Sequence, residues 1–349
     1  MQTDTAILRH WLAGHPPSAS DLDLLAASLD RDCLRAWDIP AGGIQKHLHK
    51  QAELLQAVAP QLKAASDRLG FAGGDRWLQT AWDLWLPLAL KISARFQTLQ
   101  RPLVWGILGL QGTGKTTLTR ILQTILSEQD YSVLCLSIDD LYKPYRDRQA
   151  LQAQDPRLVW RGPPGTHDVD LGVELLNRIR ARQAPLQVPR FDKNLFAGAG
   201  DRTEPQTLTN PVDIVLFEGW FLGVRPIAPP SFFRAPWPIM TAADRLFARD
   251  CNARLAAYLP LWERLDALLA LYPDDYRYSL QWRQEAEQQA KASGKGGMSD
   301  REVAGFVEYF WRSLHPELFV KPMLAEPTRV ELAVALDMYR QPTRIYRPT

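Results

Sequence analysis

The sequence predicts an α/β fold of the P-loop type, a five-stranded parallel sheet flanked by helices and preceded by a helical extension. Three observations carry that prediction. From about residue 99 onward, apolar strand-like runs alternate with helical stretches, the pattern of a parallel sheet covered on both faces. Residues 109–116 read Gly109-Leu110-Gln111-Gly112-Thr113-Gly114-Lys115-Thr116, a complete G-x-x-x-x-G-K-[ST] phosphate-binding loop between an apolar run and a helix start. Residues 1–98 place their apolar side chains at helical spacing.

In the extension, Ile44, Leu48, Leu54, Leu55, Val58 and Leu62 predict one helix and Leu78, Trp82 and Trp85 a second, which Pro87 should kink or divide. Trp77, Trp82 and Trp85 form an aromatic stripe, read as core rather than a ligand box. The strands expected are 103–108, 131–138, 213–217, 267–271 and 329–336, in spatial order 2-3-1-4-5, with ligands at their carboxyl ends. Two charged, loop-rich stretches, 139–168 and 188–211, are too long for simple connections and read as substrate-binding elements within 139–211. A helix over 275–292, the Gly294-Lys295-Gly296-Gly297 hinge and a capping box from Ser299 to Glu302 have the form of a lid over 275–300. The boundary between extension and α/β domain falls near residue 98.

Composition bounds the alternatives. At 349 residues, with 46% hydrophobic and 23% charged residues, the chain suits a large α/β domain with an added segment. A net charge of +2 is too small to argue for a nucleic-acid or membrane partner. Cys33, Cys135 and Cys251 lie far apart without metal-type spacing and read as buried reduced thiols of a cytoplasmic protein. The first residues, MQTDTAILRHWLAG, lack the basic leader and apolar run of a signal peptide, and no apolar run approaches a membrane span. The expected partner is a small molecule, and the chain is expected to act as a monomer.

The phosphate loop predicts binding of ATP and Mg²⁺. Its glycines let backbone N–H groups turn toward a polyphosphate, and the helix N-terminus adds partial positive charge. Gly109 to Thr117, including Leu110, Gln111, Gly112, Thr113 and Gly114, should wrap the nucleotide, with Lys115 on the β- and γ-phosphates and the Thr116 hydroxyl on the metal. Carboxylates follow two strand ends: Asp139 and Asp140 after the second strand, Glu218 after the third. Phosphoryl transfer needs one such group at the attacking hydroxyl and another at the metal. Arg161, His167, Asp168, Arg190, Lys193 and Arg202 lie in the two long loops and suggest a small anionic acceptor, because arginine grips carboxylate or phosphate bidentately. Arg283 or Lys295 could close from the lid onto the transferring phosphate. No N-K-x-D or L-S-G-G-Q motif is present, which argues against a GTPase switch and a transporter ATPase.

The phosphate loop, S-I-D-D-L-Y and F-E-G-W together resemble the phosphoribulokinase and uridine kinase group of small-molecule kinases. R-G-P-P-G-T-H-D, V-P-R-F-D-K, G-D-R, Q-W-R-Q-E-A-E and G-K-G-G-M-S-D resemble, more narrowly, the plant-type D-glycerate 3-kinases in their cyanobacterial form. The resemblance runs from about residue 99 to 349. It implies transfer of the ATP γ-phosphate to D-glycerate, the step that closes photorespiratory salvage of glycolate carbon in photosynthetic organisms. It also implies Asp139 as base and metal contact, Glu218 as a second metal contact and Arg283 as the lid arginine. Leu141 departs from the group, which often has an aromatic there. Another acceptor, such as pantothenate or a nucleoside, and a non-enzymatic ATP-dependent switch are the alternative readings.

Overall fold

In the computed structural model, which describes residues 2–68, 76–292 and 298–349, six helices precede the first strand among the described residues. They are α1 (Gln2–Leu12), α2 (Ala19–Ala27), α3 (Arg31–Ala36), α4 (Ile44–Arg68), α5 (Arg76–Thr80) and α6 (Leu86–Leu99). Ser18 and Asp21 form a capping box at α2, and Asp30 caps α3. Between α5 and α6 the backbone widens to a π-turn over Ala81–Trp85, where the Leu86 N–H reaches back to the Ala81 carbonyl. Pro87, next in line, has no N–H to offer, so the division falls where the sequence places it. Trp82 and Trp85 are buried, and the Trp82 ring meets Trp11 edge to face at 5.6 Å.

The α/β part runs β1 (Leu103–Gly109), α7 (Lys115–Ser127), β2 (Val133–Ser137), α8 (Tyr145–Gln154) and α9 (Val169–Arg180). Two small antiparallel ribbons follow, β3 (Leu186–Val188) with β6 (Gln206–Leu208) and β4 (Phe191–Asp192) with β5 (Asp201–Arg202). Then come β7 (Ile214–Gly219), α10 (Ala242–Arg254), α11 (Leu259–Trp262) and β8 (Ala267–Pro273). The chain closes with α12 (Tyr278–Ala292), α13 (Asp300–Ser313), α14 (Pro316–Phe319), β9 (Leu332–Leu336) and β10 (Pro342–Tyr346).

The main sheet has the order β10-β9-β8-β1-β7-β2. The five expected strands are present in the expected order and are mutually parallel. The sheet has six strands, however, because β10 adds an antiparallel edge. Pro-Thr-Arg-Ile-Tyr lacks an apolar run, and proline is tolerated at the start of an edge strand, where no ladder donor is needed. The long stretches after β2 are also more ordered than expected, since they carry α8 and both ribbons. Helix α8 buries no side chain, so no apolar period marks it in the sequence.

Alternation along the strands separates two cores. Trp105, Ile107, Leu216 and Leu269 face one way and pack with α7 and the N-terminal helices. Val104, Leu108, Phe217 and Leu268 face the other way and pack with the helices after β2. The N-terminal helices α1 to α6 thus supply one of the layers that cover the sheet. Cys251 is buried, whereas Cys33 and Cys135 are only partly so.

Beneath the sheet, Asp266 holds β1 to its surroundings. Its almost buried carboxylate accepts from Arg101 at 2.6 and 3.1 Å, from Arg180 at 2.9 Å and from the Val104 N–H at 2.9 Å. Asp266→Ala leaves two guanidinium groups and a backbone donor uncompensated, and is expected to cost about 3–5 kcal/mol in urea denaturation. A loss within experimental error would show that these charges are solvated.

Candidate active site

Strand β1 ends at Gly109, and the chain turns through residues 110–114 into α7. Gly112 adopts φ +79°, and a Cβ there would lie 2.6 Å from the Trp282 Cβ, so the position admits glycine alone. No side chain caps α7, whose N-cap Gly114 is left-handed, and its first N–H groups face outward without intrahelical acceptors. Within the turn, Thr113 Oγ1 donates to the Leu110 carbonyl at 2.8 Å and Lys115 Nζ donates to the same oxygen at 3.0 Å. Burial pushes the Lys115 amine below its usual range, and the fields of Glu218 and Asp139 oppose that shift.

Glu218, buried near the end of β7, lies between Ile107 of β1 and Ser137 of β2. The Thr116 hydroxyl donates to its Oε1 at 2.9 Å. These are hard oxygen donors of the kind Mg²⁺ takes alongside phosphate oxygens and water. Among the described residues no group of three His, Cys, Asp or Glu could hold a metal ion by itself.

The adjacent aspartates after β2 diverge. Ser137 caps a 3₁₀ turn at Ile138–Leu141, and Asp140 closes the capping box by accepting from the Ser137 N–H at 3.0 Å. Asp140 also accepts from Arg190 at 2.9 Å. Asp139 points the other way and pairs with Lys193 at 2.6 Å. Burial would raise the Asp139 carboxyl, but the Lys193 ammonium outweighs it and holds the group at about 2. Reciprocally, Asp139 raises the Lys193 amine, though burial opposes it.

The loop cations expected to meet an acceptor separate into two kinds. Arg190 spends its fork on Asp140 and on Gln206, at 2.6 and 3.1 Å, and so braces the ribbon instead of standing open. Arg202 donates to Asp168 at 3.0 Å and to the Tyr142 carbonyl at 2.8 Å, while Asp168 caps α9. Those three residues hold the loops together. Lys193 remains on Asp139, and Arg161 acts on Lys193 through its charge: Arg161 donates through one nitrogen to the Gly198 and Ala199 carbonyls and lies over the Tyr142 and Phe191 rings.

His167 is buried against Tyr142, ring to ring at 4.5 Å, and its Nδ1 meets the Tyr258 hydroxyl at 2.8 Å. Burial drives its pKa down to about 3, so the ring is neutral near pH 7, and Nε2 has no partner among the described residues. The glycines of R-G-P-P-G-T-H-D have a packing reason. A Cβ on Gly162 would lie 2.3 Å from Phe310, and its φ is +128°.

On the lid side, Arg283 pairs with Glu287 and lies over the Phe306 ring, and so is held along α12. Gly294 to Gly297, including Lys295, lie outside the described residues. Trp282 is buried on the phosphate loop and donates to the Met338 carbonyl at 2.7 Å. Arg340, between β9 and β10, donates to the Gly112 carbonyl at 2.8 Å and to Glu285 at 2.9 Å. Sequence reasoning passed over Tyr142, Tyr258 and Arg340. Tyr142 stood beside the paired aspartates and could have been weighed, whereas nothing local marks the other two.

No family model matches the chain. It is 32% identical over 255 residues to the chloroplastic D-glycerate 3-kinase of Arabidopsis thaliana, an alignment covering 69% of this chain and 54% of that protein. The chain therefore spans about half the length of that relative. It is 33% identical over 224 residues to the uncharacterized kinase mug58 of Schizosaccharomyces pombe, covering 60% of this chain and 79% of that one. Among solved structures, a D-glycerate 3-kinase from Cryptococcus neoformans matches with a TM-score of 0.68 at 29% identity, over 79% of this chain and 100% of the other.

Proposed function

The chain belongs to the D-glycerate 3-kinase family of P-loop kinases, and from that premise we propose that it transfers the γ-phosphoryl group of ATP to the 3-hydroxyl of D-glycerate. The observation that carries the reading is the pairing of Asp139 with Lys193 in the field of Lys115 of the phosphate loop. A carboxylate and two cations suit an acceptor that is itself a hydroxy acid. In this reading the amides of residues 110–116 and Lys115 hold the polyphosphate. Thr116, Glu218 and Asp139 would hold Mg²⁺, which neutralises phosphate charge when bound.

Lys193 and Arg161 bind the acceptor carboxylate, and Asp139 accepts a hydrogen bond from the acceptor hydroxyl. The new bond joins that oxygen to the γ-phosphorus, the bond to the β–γ bridging oxygen breaks, and ADP leaves. A carboxylate held at about 2 is a weak base, so Asp139 takes the proton late, once the oxygen has become part of a phosphate ester. Neutral His167 orients Tyr142 and the acceptor loop. Arg283 reaches the transferring phosphate only by leaving Glu287.

D-Glycerate has too little apolar area for hydrophobic burial to give useful affinity, so recognition rests on charge-assisted hydrogen bonds worth about 1.5–3 kcal/mol each. ADP release is expected with ATP and D-glycerate, with little from pantothenate, uridine or glycerate methyl ester. NMR of the product should show the phosphate on the 3-oxygen. Equal turnover of glycerate and its uncharged ester would mean that no carboxylate is read, and the proposal would fail.

A further inference from the structure

A second polar cleft of about 550 Å³ opens at the amino-terminal end of the sheet, opposite the phosphate loop. That volume is in the range of small-ligand sites. One wall comes from the N-terminal helices, with Trp37, His47, Lys50 and Arg95. The other comes from the sheet and C-terminal segment, with Trp105 at the start of β1 and Arg347 near the chain end.

The charges of the cleft do not cancel. Lys91, its side chain 6% exposed, pairs with Asp38 and with Glu331 at 3.1 Å, and Arg347 joins the same two carboxylates. Those two cations and two anions form a neutral network. Lys50 and Arg95 are left over, exposed at the rim, and neither has an acidic partner among the described residues. Two more polar groups of the lining have no partner there either: the Trp105 indole Nε1–H, on a residue 1% exposed, and His47 Nε2. An indole N–H is only a donor, and ammonium and guanidinium groups are only donors. Leaving a buried donor unmatched costs about 1–3 kcal/mol. The cleft is therefore rich in donors and positive charge.

We infer that this cleft is a binding site for a small organic anion bearing a phosphate or carboxylate group, separate from the phosphate-transfer centre. Lys50 and Arg95 hold the anionic head, and the body lies between the walls that carry His47 and Arg347, with the Trp105 indole N–H at its floor. Because the ligand touches both walls, it ties the N-terminal helices to the sheet. Trp105 lies on the strand that ends in the phosphate loop, four residues or roughly 13 Å before Gly109. Helices α4 and α6, which carry the first wall, also pack against α7.

The test uses the full chain and two readouts independent of turnover: tryptophan fluorescence and the melting temperature. Glycerol phosphate and inorganic phosphate probe the phosphate source, and citrate probes the carboxylate source. At least one is expected to bind saturably with Kd near or below about 1 mM and to raise the melting temperature by mass action. The double variant Lys50→Ala/Arg95→Ala, both exposed helical positions where alanine is well tolerated, should weaken that binding at least about tenfold. Lys115→Ala should leave it intact. No saturable binding by any probe at millimolar concentration, equal binding by the double variant, or loss in Lys115→Ala alone would each overturn the inference. The last outcome would place the anion on the phosphate loop.

Discussion

Lys115→Ala is expected to lower kcat by about 10²–10³, because it removes a cation from the transferring phosphoryl group in a partly dehydrated site. The structure sharpens that expectation. Lys115 is tied to the Leu110 carbonyl across the turn and lies in the fields of Glu218 and Asp139. Its removal leaves both carboxylates with one cation fewer nearby, which favours a bound metal, so the affinity for a metal-bound nucleotide should change less than the rate. Steady-state turnover together with nucleotide binding by calorimetry separates the effects. A folded variant that keeps more than half of wild-type kcat would sink the assignment of this loop to catalysis.

Asp139→Asn and Asp140→Asn should part company in the same assay. On the proposed mechanism Asp139→Asn replaces the carboxylate that accepts from the acceptor hydroxyl with a group that cannot take a proton, and turnover should fall by two or more orders of magnitude, within the range of about 10²–10⁴ for a positioned acid–base group. ATP binding should be largely spared. Asp140 accepts from the Ser137 N–H and from Arg190, both structural partners. Its asparagine variant should keep most of kcat and instead lose about 1 kcal/mol of stability, the scale of a lost cap. The measurement is kcat beside the melting temperature for each variant. The reverse ranking in kcat would transfer the role to Asp140 and with it the direction in which the acceptor lies.

The pH behaviour of Asp139 follows from its pair. Its folded pKa, about 2, is below the ordinary aspartate value of 3.8. The stabilisation from the Lys193 pair is therefore complete above about pH 4 and fades as pH falls through 2. Loss of activity between pH 5 and 7 would thus have another source.

What the sequence determined by itself is what depends on neighbours along the chain. A phosphate cradle is built from eight consecutive residues, so Gly109 to Thr116 announced it. The apolar runs of β1, β2, β7, β8 and β9 announced a parallel sheet, and with it the strand ends that carry Asp139 and Glu218. Pro87 announced the break between α5 and α6 because a missing N–H acts locally. What only the tertiary structure decided is which loop cation pairs with which carboxylate. Arg190 lies 50 residues from Asp140, Arg202 lies 34 from Asp168, and Lys193 pairs with Asp139 across a similar gap. All were equal in a count of charges. Coulombic attraction and hydrogen bonding depend on angstroms of separation in space, which the folded loops set and the spacing of letters does not. For the same reason β10, Tyr258 and Arg340 were invisible: each matters only through a partner brought to it by the fold.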